Sequence, residues 1–223
     1  MAIQIQGNGG TVAEVGANFR GVVSQSKPLE YGALGHYSWG GLTGILPAAL
    51  AANSEIFQFK WTPAATANLC VVRYVIISAA VTTTFFAAGV PVQVGLYKAS
   101  AWTVAGAGGT AVTPAALLKR RGTMASTSLA AGDMRIATTA ALGAGTKTLE
   151  TESISSVLTA GPTASPGNIF APGTVLLNAE VSNGEHPIVL AAGEGLSITS
   201  IAVPATGTWQ VSVRIGWSET TAY

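Results

Sequence analysis

The clearest alternation of apolar and polar positions lies near the end of the chain, where Trp209, Val211, Val213, Ile215 and Trp217 alternate with Gln210, Ser212, Arg214 and Gly216. A period of two predicts an antiparallel strand of fixed register, with the first set facing inward. Residues 174–178, 188–191 and 196–201 predict three more strands, and NG, AGEG and PATG turns separate these segments. Further upstream, IFQFKW at 56–61 reads as a short strand, and 69–78 as a strand buried on both faces, interrupted by Arg73. Residues 92–99 alternate again, with Val92, Val94 and Leu96 on one face and Gln93, Gly95 and Tyr97 on the other.

Between these strands the chain is dominated by turn chemistry. The stretches AGAGGT, GTMASTS, LGAGT and GPTASPGN punctuate residues 101–168, with short strands expected at 134–139 and 147–151 and one helical turn at 114–119. Residues 31–53 are rich in Gly and Ala and read as an ordered loop, with a short helix at 47–52. Residues 1–30 mix short alternating stretches with Gly and Ser. They read either as an extended arm pairing with a neighbour's sheet, over Gln4 to Val23, or as an edge strand of the domain's own sheet. The expected organisation is therefore an N-terminal arm or edge strand at 1–30 and a β-sandwich domain at 31–223. The fold class is all-β: a jelly-roll-like antiparallel sandwich with long Gly- and Ala-rich loops.

Charge changes this picture more than composition does. Of 223 residues, 11 are Lys or Arg and 10 are Asp or Glu, which is 9% of the chain, where about 25% is ordinary. A monomer of this mass exposes roughly 9,400 Å², so each charge would serve about 450 Å². The net charge of +1 adds little colloidal repulsion. Both counts point to a surface covered by copies of the chain or by a larger assembly. Nucleic-acid binding needs clustered cations, and Lys119, Arg120 and Arg121 form the one dense group. The uncharged run from Tyr74 to Tyr97 is long enough to cross a membrane. Its Thr, Gly and Pro residues instead suit two strands with a turn at 87–91, so no membrane partner is expected, and 1–10 lacks the pattern of a secretory signal.

Candidate chemistry is sparse. There are two histidines, His36 and His186, one aspartate, Asp133, and one cysteine, Cys70, in the apolar run LCVV. A hydrolytic triad needs a nucleophile, a base and an orienting group, and a zinc site needs four ligands at recognisable spacing; neither pattern is present. Ser24-Gln25-Ser26-Lys27 matches a serine–lysine spacing without a helix to support it. Glu150-Thr151-Glu152 reads as a solvated hairpin edge, and Gly106-Ala107-Gly108-Gly109 as a turn without the lysine and helix of a phosphate loop. Lys119-Arg120-Arg121 is a solvated loop or a contact to an acidic neighbour. No catalytic, metal or cofactor site is expected.

Several strings carry a resemblance: IFQFKW, RYVIIS at 73–78, GLYKASAW at 95–102, MRIATTAALGAGTKTLE at 134–150, HPIVLAAGEGLSI at 186–198 and AVPATGTWQVSVRIGWSE at 202–219. The chain from 31 to 223 resembles virion structural proteins of tailed bacteriophages, most nearly the β-sandwich proteins that decorate or cement the capsid. The resemblance rests on packing and turn patterns and transfers no functional residue. It implies a non-enzymatic protein on the outer capsid surface, a homotrimer whose partner is the major capsid protein of the same virion. Two alternatives stand beside it. One is a head-fibre or tail module binding a receptor or glycan, with Tyr37, Trp39 and Trp102 as exposed platforms. The other is a shell-forming capsid protein.

Overall fold

The computed structural model describes residues 34–86, 91–113, 119–120, 124–160, 167–179, 187–203 and 205–221, together with the backbone of two short strands near the N-terminus. The chain divides into two compact units, Met1–Glu30 and Tyr31–Tyr223. The first holds an antiparallel pair, β1 (Ile5–Gln6) and β2 (Val12–Ala13), with Ile5 opposite Ala13. The rest of the proposed arm, the Ser24 to Lys27 tetrad, the turn at 87–90 and the helical turn at 114–118 lie outside the described residues.

The second unit is an all-β sandwich of two antiparallel sheets packed against each other, with no helix among the described residues. Its strands are β3 (Gly35–Leu42), β4 (Leu46–Pro47), β5 (Ser54–Trp61), β6 (Leu69–Val81), β7 (Pro91–Val104), β8 (Thr110–Ala111), β9 (Met134–Ile136), β10 (Thr146–Leu149), β11 (Ser155–Ala160), β12 (Asn168–Asn178), β13 (Ile188–Leu190), β14 (Glu194–Ala202) and β15 (Thr208–Thr220). One sheet, here sheet I, has six strands in the order β12-β6-β15-β3, with β13 also on β6 and β4 also on β15. The other, sheet II, has seven in the order β10-β7-β14-β5-β9-β8, with β11 also on β7.

The alternation in β15 is realised as read: Trp209, Val211, Val213, Ile215 and Trp217 are all fully buried, each contributing about 1.5–3 kcal/mol of apolar burial. Val92, Val94 and Leu96 of β7 are equally buried. Aromatic pairs join the sheets. Phe59 of β5 meets Trp217 edge-on at 5.3 Å, and Phe57 stacks on Trp39 of β3 at 5.6 Å, geometries that suit the ring quadrupoles.

Two register irregularities decide which side chains face outward. Ile198 lies opposite Phe57 but Thr199 opposite Glu55, so Ile56 is an extra residue in β5. Ile56 and Phe57 both join the core, while Glu55 shares a face with Gln58, with which it is hydrogen-bonded. Likewise Gly216 lies opposite Tyr74 and Trp217 opposite Val72, which makes Arg73 the extra residue of β6. Such bulges reset the inside–outside parity of a strand.

Three expectations are corrected. Residues 31–53 are not a loop, since Gly35–Leu42 is a full strand pairing along β15 from Glu219 to Ser212. Its glycines make room for aromatics, because a Cβ at Gly41 would stand 2.3 Å from the Trp39 ring. The helix at 47–52 is absent; Leu46–Pro47 pairs with Thr208 and Trp209, and Asn53 turns the chain with a left-handed φ of 61°. Finally, β6 is not buried throughout on both faces, because Ile76 and Ser78 are half-buried on its outer side.

Candidate functional site

The outer face of sheet II carries a buried polar centre that no single stretch of sequence announces. The bulge at Ile56 sets Glu55 beside Gln58, and β14 brings Ser197 from across the ladder. The Glu55 carboxylate accepts hydrogen bonds from Gln58 Nε2 at 2.7 Å and Ser197 Oγ at 2.7 Å, and pairs with Lys147 Nζ at 2.7 Å. Lys147 also donates to the Ala144 carbonyl and sits 4.3 Å from the centroid of the Trp102 ring, a cation–π contact. Gln58 accepts from the Gly106 amide at 3.0 Å and donates to the Gly143 carbonyl at 2.9 Å, tying two loops over the centre. The Gly106-Ala107-Gly108-Gly109 segment is therefore a roof loop. The Gly108 carbonyl is held by Arg135 at 2.8 Å.

A second ion pair lies further along β5. Lys60 Nζ is 3.5 Å from Asp133 Oδ1 and donates to the Thr103 carbonyl at 3.2 Å, while Thr62 donates its hydroxyl to Asp133. Both carboxylates are thus filled by internal donors. Thr199 Oγ1 is buried with no partner among the described residues.

Sheet I presents a different chemistry. At the start of β3, His36 Nδ1 is 2.8 Å from Ser218 Oγ, and the His36 carbonyl accepts from the Arg120 amide at 3.1 Å. Arg120 lies over the Tyr74 ring at 5.8 Å, with Nη2 at 3.4 Å from the Tyr74 hydroxyl. That ring in turn covers Gly216, where a Cβ would stand 2.3 Å from it. Partial burial, and then the charges of Arg73 and Arg120, hold the His36 pKa below its ordinary 6.5. On the inner side Glu219 is fully buried, and its carboxylate accepts from Trp217 Nε1 at 3.2 Å, the Ser128 amide at 2.9 Å and the Thr127 hydroxyl. Burial, with Glu219 nearby, raises the Cys70 thiol well above its usual range, so the thiolate needed for nucleophilic chemistry is suppressed. Burial also lifts Tyr37 to about 12, with Glu219 adding to the shift.

Further along the same β3–β15 ladder, where Ser212 lies opposite Leu42, the outer face of sheet I has a shallow depression of about 160 Å³ lined by Leu42, Ser78, Ala80, Asn168, Gln210 and Ser212 among others.

The aromatic platforms expected on the surface are not there. Tyr37 and Trp102 are each 1% exposed, the former stacked on Trp217 at 5.7 Å, and Trp39 is partly buried against Phe57. Both ring pairs are sheet-packing contacts, and Trp102 serves the Lys147 pair. Glu150 and Glu152 lie in an exposed turn, His186 and Arg121 lie outside the described residues, and no group of metal-ligating side chains occurs among the described residues. No described helix is long and apolar enough to cross a membrane. The Glu55 centre was missed by sequence reading because its members lie on β5, β10 and β14; the signal available was the pair of polar residues inside IFQFKW. No protein family, curated protein or solved structure matches the chain.

Proposed function

We propose that this chain is a non-enzymatic structural protein of a virion, a decoration or cement protein on the outer capsid surface of a tailed bacteriophage that braces major capsid subunits as a homotrimer. The observation that carries this reading is the character of the sandwich surface. The three lysines on sheet II strands, Lys60, Lys98 and Lys147, are each paired with a carboxylate. Free charges are therefore fewer than a composition already poor in charge suggests. Leu42, Val104 and Leu158 meanwhile stay more than half exposed. A surface with so few free charges suits contact with protein rather than solvent, and repetition on a lattice makes weak contacts strong through effective concentration. Likeness of the quoted strings to capsid-decorating β-sandwich proteins supports the same reading.

Light scattering coupled to size-exclusion chromatography tests the oligomer, with a trimer expected and a stable monomer at micromolar concentration counting against it. Electron microscopy of particles carrying a labelled chain tests the role. Label at many lattice positions is expected, whereas label only at a vertex or tail would replace this reading with receptor binding.

A further inference from the structure

Among the described strands the lysines and carboxylates are distributed unequally between the two sheets. On sheet II every strand lysine meets a carboxylate: Lys60 with Asp133, Lys98 with Glu194 at 3.1 Å, and Lys147 with Glu55. On the strands of sheet I the sole carboxylate is Glu219, and it is turned inward and filled by Trp217, Thr127 and Ser128. The cations there lie outward. Arg214 is exposed on β15, two positions from Gly216 and so on the same face as the Tyr74 ring. Arg120 is exposed above that ring and Arg73 is close enough to influence His36, whereas the half-buried Lys119 lies opposite the inward-facing Tyr37 and so does not share this face. Arg214 makes no side-chain ion pair or hydrogen bond with a described residue. Adjacent to Arg214 on the same face, Ser212 belongs to the floor of the 160 Å³ depression, whose rim includes the exposed Leu42.

We infer that the outer face of sheet I is a docking surface for a carboxylate-rich surface of another protein, with Arg214 and Arg120 meeting acidic side chains and the depression by Ser212 receiving a small apolar one. This rests on the reading of the chain as a component of an assembly and names the face and the chemistry of the contact. A second copy fits poorly, because an isologous contact would set the same cations against one another. Nucleic acid fits poorly as well: few cations are gathered on a broad sheet face, in a chain of net charge +1.

The test uses the full chain and a synthetic deca-glutamate peptide, so it needs no virion and can fail independently of the proposed capsid role. Salt-sensitive binding is expected, weakened at least tenfold in Arg120→Glu/Arg214→Glu and in the milder Arg120→Gln/Arg214→Ser, each with a melting temperature near the parent's. Glu150→Gln/Glu152→Gln, which raises net charge away from this face, should change the affinity less than twofold. The inference is overturned if the parent does not bind the peptide or both pairs of variants bind like the parent. It is equally overturned if the Glu150/Glu152 variant shifts affinity as strongly, or if a twelve-nucleotide single strand binds more tightly than the peptide.

Discussion

Replacing Lys147 by Met leaves the Glu55 carboxylate under its roof without its cation. The pair is made at 2.7 Å by side chains only 3% and 7% exposed, so it belongs with buried ion pairs, where removing one partner costs about 3–5 kcal/mol. The carboxylate keeps the Gln58 and Ser197 donors, which places the expected loss toward the lower figure, about 3 kcal/mol. For a domain of this size that corresponds to a fall in Tm of about 6–12 °C. Glu55→Gln leaves the ammonium buried against the Ala144 carbonyl and the Trp102 face, and should cost a similar amount. The double variant Glu55→Gln/Lys147→Met carries no uncompensated charge and should recover most of the loss, because buried pairs replaced together are often near neutral. Urea unfolding of the four proteins closes the cycle, and a coupling energy of about 2 kcal/mol or more is expected. A Lys147→Met variant within about 1 kcal/mol of the parent would place the pair among solvated surface bridges and refute the roofed-centre argument.

Three further outcomes follow from the same reasoning. Trp217→Ala should cost about 3–5 kcal/mol and Trp217→Phe clearly less, since Phe preserves contact with Tyr37 and Phe59 but not the bond to Glu219; normal expression of Trp217→Ala with an unchanged Tm would show that the inward face of β15 is misassigned. Folding disfavours protonated His36, so its contribution to stability is complete above pH 6.5 and declines as the pH falls through the window below that value; His36→Gln should flatten the Tm profile between about pH 7.5 and 5.5, and an unchanged slope would show that His36 does not carry the pH dependence. Cys70 should stay unmodified by a thiol-reactive chromogen in the native protein and react fully in denaturant, whereas rapid native labelling would contradict its burial.

The strands that could be read from sequence were those whose own side chains repeat with period two against one core. β15 and β7 qualify, with apolar residues on one face and polar or glycine positions on the other. β3 did not, because GHYSWGGL has too few apolar side chains; two aromatic rings folded over neighbouring glycines supply its burial. β11, with the sequence SSVLTA, is half exposed and owes its register to pairing along β7. The Glu55 centre depends on one inserted residue, Ile56, which turns a carboxylate from the core side to the roofed side. A bulge is set by long-range pairing, so local periodicity could not have located it. Burial of Cys70 was readable from its apolar neighbours, whereas the burial of Tyr37 and Trp102 required knowing which strands they faced.

The position of β14 and β15 also bears on how the chain reaches this state. Each occupies the middle of a sheet, yet both come after every other strand of the sandwich in sequence. β3 awaits a partner at 212–219 and β5 one at 194–200. A ribosome-bound chain that stops short of Glu194 therefore holds neighbouring strands apart with no ladder between them. Large loop closures precede most of the native pairing, which makes folding slow for its size and exposes strand edges meanwhile. Closure of the two sheets is thus a late event, and the chain is most vulnerable to aggregation before residues 194–220 engage.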